Sequence, residues 1–472
     1  MDWTDFGSWA HRIADWTQDY RENVGDLPVR AQSRPGEVLE ALPPAPPEAG
    51  EPMEDIFADF ERVVMPGITH WQHPRFFAYF NANAAAPSVL AEFLVSAIAP
   101  NCLIWQTSPA GTEMETRVMD WLRQAIGLPE GFAGVIQDSA STATLAAVLT
   151  MRERALDFTG NTKGLFARAP LRVYCSAEVH TSIDRAIWIA GIGAENLVRV
   201  PIKGENRGMD PDALRALIAA DRAAGLQPAG VILCVGATGV GATDPVAQVM
   251  EVAESEGLYT HVDAAWSGSA MICPEFREMW AGVERADSIV FNPHKWLGAN
   301  FDCSAHFVRA PEDLVRTLAI RPEYLKTHGK DGIINYSEWS VPLGRRFRAL
   351  KLWFLIRSYG LDGLRTVLRN HVRWARALHD RLAEEPGFEI VTPPMWSLFS
   401  FRYVPDGASD LDALNQRLVD AINDDGRIYL TQTRVDGALV IRFQAGSFET
   451  TEADVMMALD VIREIAQGLE TG

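Results

Sequence analysis

The chain of 472 residues carries 43 basic against 62 acidic side chains, and its net charge of −19 would repel phosphate backbones, so nucleic acid is not an expected partner. Apolar residues make up 47 % and charged ones 22 %, which excludes a disordered, collagen-like or disulfide-scaffold chain and leaves room for two or three folded domains. No run of about 18 uncharged apolar residues occurs: the most apolar stretch, Ser88 to Trp105, is broken by Glu92 and Pro100, and no membrane span is expected.

The first element is predicted to be a helix, because Trp3, Phe6, Ala10, Ile13, Trp16 and Tyr20 recur at helical spacing. The acidic start around Asp2 and Asp5 is the wrong chemistry for a signal peptide, and a cytoplasmic protein is expected. A Pro-rich stretch from Pro28 to Pro52 reads as an extended arm without helix. A second amphipathic helix runs from about Met53 to Val64. These two helices have no core of their own, so their aromatic stripe must pack on a partner subunit or on the rest of the chain. His70 and His73 are followed by Pro74, which breaks any helix that could present them together, and no metal site is expected. The five cysteines, Cys102, Cys175, Cys234, Cys273 and Cys303, are widely spaced among apolar neighbours and read as reduced, buried thiols.

The middle alternates short apolar runs with helical patterns. Strands are predicted at Ala133–Gln137, Leu171–Cys175, Leu197–Val200, Gly230–Gly236, Leu258–Asp263, Asp287–Phe291 and Cys303–Val308, with helices such as Ser141–Leu156 and Pro211–Ala224 between them. This alternation implies a largely parallel sheet covered on both faces. Phe291 to Cys303 is too short for a helical crossover, so those two strands pair antiparallel or are not neighbours. After Pro342 come a long helical stretch (Arg345 to Leu382), strands at Phe388–Val391 and Leu398–Val404, a helix at Leu411–Ile422, strands at Ile428–Thr433 and Ala438–Phe443, and a helix from Glu452 opened by Thr451 and Asp454 at capping spacing.

Ligands of open α/β sheets bind beyond the carboxyl ends of the strands. Three such ends carry chemistry: Asp263 in His261-Val262-Asp263-Ala264-Ala265, Lys295 in Asn292-Pro293-His294-Lys295-Trp296, and the helix start in Gln137-Asp138-Ser139-Ala140-Ser141-Thr142. Each alone reads as a turn, a solvated lysine or a cap. Together they match one cofactor. Pyridoxal phosphate needs a lysine for its aldehyde, an acid against its pyridine nitrogen and a phosphate site, which a helix N-terminus supplies. No Gly-x-Gly-x-x-Gly follows the first strand, and Gly236-Ala237-Thr238-Gly239-Val240-Gly241 has neither that order nor a Walker lysine.

From about Trp71 to Phe443 the sequence resembles the group II pyridoxal-phosphate-dependent decarboxylases, and among them the aromatic-L-amino-acid decarboxylases. The resemblance runs through His73-Pro74-Arg75-Phe76-Phe77-Ala78-Tyr79-Phe80, Ser108-Pro109-Ala110, Thr112-Glu113-Met114-Glu115, Ser139-Ala140-Ser141, Val262-Asp263-Ala264-Ala265, Phe291-Asn292-Pro293-His294-Lys295-Trp296 and Pro342-Leu343-Gly344-Arg345-Arg346-Phe347-Arg348. It implies the α/β fold type I of pyridoxal-phosphate-dependent transferases: a mostly parallel seven-stranded sheet, an N-terminal helical segment (1–83) for dimerisation, a large cofactor domain (84–368) and a small C-terminal α+β domain (369–472). By motif, Lys295 is the Schiff-base lysine and Asp263 the pyridine partner. Ala265 lies under the ring and His180, in Ala177-Glu178-Val179-His180-Thr181-Ser182, stacks above it. Ala140, Ser141, Asn292 and His294 face the phosphate, and Thr238 the ring hydroxyl, although Ala237 departs from the family's Gly-Thr-Thr pattern there.

The resemblance further implies a homodimer with shared active sites. The substrate pocket would take Trp71, Tyr79, Phe80, Ala82, His294 and Gly344, with Asn101 and Leu103 from the other chain. Aromatic walls suit a flat ring. Asn101 and Leu103 differ from the usual residues there, Ala82 stands where threonine is common, and Gly344 replaces the serine of phenolic- or histidine-specific relatives. Tyr336 corresponds to the mobile-loop tyrosine that delivers the proton, within a polar, Gly-bearing lid from Tyr324 to Ser340 that includes Gly329 and Gly332. The implied reaction is decarboxylation of tryptophan, 5-hydroxytryptophan, DOPA, tyrosine or phenylalanine to the amine. The alternative on the same scaffold is an aromatic aldehyde synthase, whose members replace that tyrosine by Phe or replace the histidine at His180. Transamination would need an arginine for an in-plane carboxylate, with Arg442 the candidate, and a non-catalytic relative would not be expected to keep Lys295, Asp263, His180 and Tyr336 together.

Overall fold

The computed structural model describes residues 2–166, 168–320 and 332–470. Two compact units make up the chain, Met1–Asn81 with Asn370–Gly472, and Ala82–Arg369. Of the N-terminal segment expected at 1–83, residues up to Asn81 fall into one unit with the C-terminal domain, while Ala82 and Asn83 belong to the large unit.

The N-terminal segment opens with α1 (Trp3–Asn23), whose first turn is capped by Asp2, the Thr4 N–H donating to its carboxylate at 2.7 Å. The Pro-rich arm corrects the expectation in one place. It contains the short helix α2 (Glu37–Ala41), which fits between Pro35 and Pro43 because those five residues include no proline and Gly36 turns into it at φ 93°. Next comes α3 (Met53–Asp59), extended by a π-helical turn over Phe60–Val64. The aromatic stripe of α1 meets this second helix. Trp16 lies 5.2 Å from Phe60 and Trp9 lies 5.8 Å from Phe57 between ring centroids. Even so, no residue of α1 is buried, and Trp3 is 79 % exposed.

The large unit holds α4 (Ala86–Ile98), α5 (Pro109–Ala125), β1 (Ala133–Gln137), α6 (Ala140–Ala155), β2 (Leu171–Ser176), α7 (Ser182–Ile189), β3 (Leu197–Val200), α8 (Pro211–Ala223), β4 (Gln227–Cys234), α9 (Val246–Ser255), β5 (Tyr259–Asp263), β6 (Ser288–Phe291), β7 (Ser304–Val308), α10 (Pro311–Leu318) and the start of α11 (Ala349–Ala383). The seven strands expected from the sequence form one sheet in the order β1-β7-β6-β5-β4-β2-β3. β2, β3, β4, β5 and β6 pair in parallel, whereas β7 runs antiparallel to both β6 and β1. Of the two arrangements that the short connection after Phe291 allowed, the structure has the antiparallel neighbour, with Phe291 opposite Ala305. α6 covers one face, packing Ala147, Val148 and Met151 on Val173, Cys175, Ile232 and Tyr259. Side chains alternate along a strand, so Tyr259, His261 and Asp263 all point to this face. All five cysteines are buried and free.

Helix α11 is not one straight rod, because Gly360 breaks it with φ 61°, ψ 170°. The C-terminal half contributes β8 (Phe388–Met395), β9 (Leu398–Tyr403), α12 (Leu411–Asp425), β10 (Thr431–Val435), β11 (Ala438–Gln444) and α13 (Glu452–Glu470). The four strands form an antiparallel sheet in the order β8-β9-β11-β10. Its hydrophobic core includes Leu378, Phe399, Phe401, Leu418, Ile441, Phe443, Val461 and Phe77. β10 starts three residues later than expected because Tyr429 pairs elsewhere. The Phe77 N–H donates to the Tyr429 carbonyl at 3.0 Å, so the 73–80 motif lies along the small sheet. α13 carries the expected capping box: the Thr451 N–H donates to Asp454 at 3.0 Å and the Asp454 N–H to the Thr451 hydroxyl at 3.3 Å. His70 and His73 serve structure in the same unit. The Tyr20 hydroxyl meets His70 Nδ1 at 2.8 Å, and His73 Nδ1 accepts from the Arg75 N–H at 2.9 Å.

Candidate active site

The carboxyl ends of β1, β2, β4, β5 and β6 share one edge of the large sheet, because all five run the same way. Asp263 ends β5 and is buried. Its carboxylate accepts the Ala265 N–H at 3.0 Å, which turns the chain sharply after the strand. Two residues past β6, Pro293–Leu297 forms a π-helical turn that carries His294 and Lys295. The two turns are bound together. The Asn292 N–H donates to the Ala265 carbonyl at 2.8 Å and the Ala264 N–H to the Val290 carbonyl at 3.0 Å. Trp266 and Trp296, which directly follow Ala265 and Lys295, are fully buried and stack at 4.8 Å and 20°. The approach is close enough that a Cβ at Gly268 would stand 2.4 Å from Cβ of Phe291.

The electrostatics follow from this burial. Desolvation raises the Asp263 carboxyl above its ordinary value, with the Ala265 N–H, Lys295 and His180 pulling it back. Desolvation lowers the Lys295 ammonium, with Asp263 opposing. His180 is lowered by desolvation, while Asp263 raises it and Lys295 lowers it. Three residues from three strand ends thus feel one another's charge. His180 Nδ1 accepts the Ser182 N–H at 3.1 Å, so the proton of the neutral ring sits on Nε2.

The phosphate side is built from α6. Ser139 caps it, its hydroxyl accepting the Thr142 N–H at 3.2 Å, and the first-turn N–H groups of Ala140 and Ser141 precede any intrahelical acceptor. Ala140 and Ala143 pack with Val290 and Ala265, which brings the helix start beside the Asp263 turn. Asn292 accepts from the Ser304 hydroxyl at 2.7 Å. His294 Nδ1 accepts the Cys303 N–H at 2.9 Å, and burial drives its pKa down to about 3, so it is a neutral ring. Thr238 is half-buried in the turn after β4, where the Gly241 N–H closes on the Ala237 carbonyl at 2.8 Å.

Asn83 also belongs to the site. It fastens the lysine turn twice, its N–H to the His294 carbonyl at 3.1 Å and its side-chain amide to the Lys295 carbonyl at 2.8 Å. Its signal was its place directly after the 73–80 motif and Ala82.

A second group of expected residues comes together elsewhere on the same unit. The Arg345 N–H donates to Asn101 Oδ1 at 3.1 Å, the Ser337 N–H donates to the Leu103 carbonyl at 2.9 Å, and a Cβ at Gly344 would lie 3.8 Å from the Asn101 amide. Tyr336 belongs to this group. Its hydroxyl meets the Thr116 hydroxyl at 3.0 Å, and the Arg345 guanidinium lies 5.0 Å from its ring centroid. Arg345 is held below by Glu115 at 2.7 Å. Tyr336 and Trp339 are buried against Val135, Ala146, Val308 and Leu314, so this part of the expected lid packs on the body of the chain. Burial raises the phenol above its ordinary pKa and keeps it protonated. Tyr324 and Gly329 lie outside the described residues, and Gly332 lies within them.

The third group sits in the smaller unit. Trp71 and Tyr79 stack at 5.8 Å and 19°, are 38 % and 45 % exposed, and form a flat aromatic wall. Tyr79 takes a left-handed backbone with φ 48° and its hydroxyl reaches that of Tyr429 at 3.3 Å. Phe80 is buried, with the Arg442 guanidinium 5.6 Å from its ring centroid, and Arg442 donates to the Thr431 hydroxyl at 2.8 Å.

A model of the pyridoxal-dependent decarboxylase conserved domain matches residues 35–404. This chain belongs to that family. It is 38 % identical over 483 residues to an aromatic-L-amino-acid decarboxylase of Rattus norvegicus, covering 99 % of each chain. It is 37 % identical over 480 residues to a phenylacetaldehyde synthase of Arabidopsis thaliana, covering 99 % of this chain and 97 % of the relative. The structure of Oryza sativa TDC solved with PLP and tryptamine aligns at a TM-score of 0.96 and 35 % identity over 99 % of both chains. The protein is a pyridoxal-phosphate-dependent carboxy-lyase of fold type I. The residues present fit the cofactor: a desolvated lysine amine, a carboxylate buried beside it, a small floor at Ala265 and a capped helix start within one packed cluster.

Proposed function

We propose that this protein decarboxylates aromatic L-amino acids, releasing carbon dioxide and the aromatic amine, as a cytoplasmic homodimer with shared active sites. The observation that carries the reading is the electrostatic cluster of Lys295, Asp263 and His180 on one sheet edge. The stacked Trp71–Tyr79 wall supports a flat ring as the substrate side chain.

Pyridoxal phosphate, when bound, supplies the sink for the electron pair left at the substrate Cα as the carboxylate departs. Lys295 would hold the cofactor's aldehyde, and desolvation favours the neutral, nucleophilic amine this requires. Asp263 would hold a proton at the ring nitrogen, an opposite charge in the low-dielectric interior. Ala140 and Ser141 would bind phosphate with their backbone N–H groups, and Asn292 would join them. His180 would present its Nε2–H, fixed by the Ser182 contact. Tyr336 is assigned the proton that returns to Cα, and its raised pKa keeps that proton available at neutral pH.

The dimer is supported by apolar side chains left on the surface of α4: Leu90, Phe93, Leu94 and Ile98 are 60 %, 51 %, 41 % and 64 % exposed. Five buried free thiols suit a reducing compartment. The absence of a serine side chain at Gly344, beside Asn101, leaves room for an indole.

The test is a panel of tryptophan, 5-hydroxytryptophan, DOPA, tyrosine and phenylalanine, with amine, carbon dioxide, aldehyde and peroxide all measured. Amine with equimolar carbon dioxide is expected. Aldehyde with peroxide and ammonia would give the synthase reading instead, and turnover of glutamate or histidine alone would overturn the aromatic assignment. In Tyr336→Phe, amine should fall and aldehyde rise; an unchanged product ratio removes Tyr336 from the proton step.

A further inference from the structure

Beneath the site runs a chain of fully buried polar side chains that none of the roles above uses. Thr144 Oγ1 of α6 lies 3.2 Å from His261 Nε2 of β5. His261 Nδ1 lies 2.9 Å from the Ser288 hydroxyl of β6, and that hydroxyl lies 2.8 Å from His306 Nε2 of β7. All four residues are completely buried. Both imidazoles are neutral, because desolvation drives His261 to about 3 and His306 to about 4.

One atom fixes the direction of the chain. His306 Nδ1 is buried with no hydrogen-bond partner among the described residues. A buried N–H left without an acceptor is rarer and costlier than an unfilled lone pair, so Nδ1 is bare and the ring proton sits on Nε2. His306 Nε2–H then donates to Ser288, the Ser288 O–H donates to His261 Nδ1, and His261 Nε2–H donates to Thr144. Each of these three donors has its acceptor, and the vacancy at His306 Nδ1 is the cheap kind.

The register shows what this chain joins. His261 is the Cα partner of Ser288, Asp263 the partner of Val290, and Val290 the partner of His306. His261, Ser288 and His306 therefore lie on the α6 face of the sheet, in the row of Asp263 and the row directly below it, and Thr144 meets His261 from α6. Each sits on an element that ends in a cofactor-side residue. α6 starts at Ala140 and Ser141, β5 ends at Asp263, β6 leads to Asn292 and Lys295, and Ser304 of β7 donates to Asn292.

We propose that Thr144, His261, Ser288 and His306 are positioning residues: one proton-ordered hydrogen-bond chain that sets the spacing between the pyridine-side carboxylate of Asp263 and the phosphate-side start of α6. The chain acts through geometry and contributes no charge. It rests on the assignment of Lys295 and Asp263 to the cofactor, which chemical labelling of Lys295 tests separately, so failure there and failure here are distinguishable.

The experiment titrates apoprotein with pyridoxal phosphate and reads the dissociation constant and the circular dichroism of the bound cofactor's visible band. Ser288→Ala and His306→Leu each break the chain and should bind about tenfold more weakly, the effect of one net hydrogen bond. The visible dichroism should fall as well. His306→Gln restores an N–H close to the Nε2 position and should stay within about twofold of wild type. Wild-type binding and dichroism in Ser288→Ala and His306→Leu would overturn the proposal, as would Gln performing no better than Leu. If those variants fail to fold, Thr144→Ala against Thr144→Ser decides it. The alanine variant should bind several-fold more weakly and the serine variant normally, whereas equal binding by both overturns it.

Discussion

The seven-stranded and the four-stranded sheets of this protein solve opposite problems. The four-stranded sheet packs an apolar face, with Phe399, Phe401, Ile441 and Phe443 at its centre, and its buried Ser400 and Arg442 alternate with them onto the other face. The seven-stranded sheet buries Asp263, His261, His306, Asn292 and Ser304 at and below one edge and ties each to a partner or to a neighbouring charge. Burying polar groups costs stability unless each is satisfied, so the large sheet spends hydrogen bonds on holding chemistry while the small one supplies hydrophobic stabilisation. Substitutions in the two should therefore separate function from folding.

The largest effect is expected in the large sheet. Asp263→Ala removes the carboxylate facing the pyridine nitrogen and should lower kcat by about 10³-fold, in the range seen when one electrostatic contact to the reacting group is lost. Far-UV circular dichroism should stay unchanged, and a variant within tenfold of wild type would break the comparison. In the small sheet, Phe399→Ala should cost about 3–5 kcal/mol of stability in urea unfolding. It should leave the visible cofactor band intact below the melting temperature; loss of that band in folded protein would show that the two roles are not separate.

A pH series sharpens the contrast further. His73, His261, His294, His306 and His371 all have pKa values driven down by burial to about 3 or 4. The unfolded chain binds more protons than the folded one between those values and about 6.5, so stability must rise with pH across that window, on the order of 1 kcal/mol per pH unit per histidine. Asp244 works the other way. Burial raises it to about 6, so its contribution falls as pH rises from about 4 to 6. The histidines outnumber it, and urea midpoints at pH 5 should lie below those at pH 7; the reverse order would contradict the burial of these rings.

The smallest effects come from matched caps. Ser139→Ala at α6 and Thr451→Ala at α13 should each cost about 1 kcal/mol. Only Ser139→Ala should also weaken cofactor binding, and a similar loss from Thr451→Ala would be unexpected.

How far the sequence discloses this arrangement follows from how local each signal is. All seven strands of the large sheet were legible, because apolar runs bounded by turn residues are contiguous in sequence. For β6 and β7, loop length left antiparallel pairing or no contact, and the structure decides for the pair. Asp263, Lys295 and the α6 start were legible because each lies at a strand end. Other features depend on register or on distant partners. Thr144, His261, Ser288 and His306 meet only once four elements are aligned. Asn83 stands close after the 73–80 motif, but its role shows only in the carbonyls it reaches. Tyr429 looked like part of a strand, yet it pairs with Phe77 across a separation of several hundred residues. The break at Gly360 and the short helix Glu37–Ala41 are backbone choices that composition does not force.

The central claim is that Lys295 carries pyridoxal phosphate. Borohydride reduction of the holoenzyme followed by peptide mapping tests it directly. A pyridoxyl group is expected on Lys295, with its loss in Lys295→Arg together with loss of turnover. Label on another lysine, no label at all, or full activity in Lys295→Arg would contradict it.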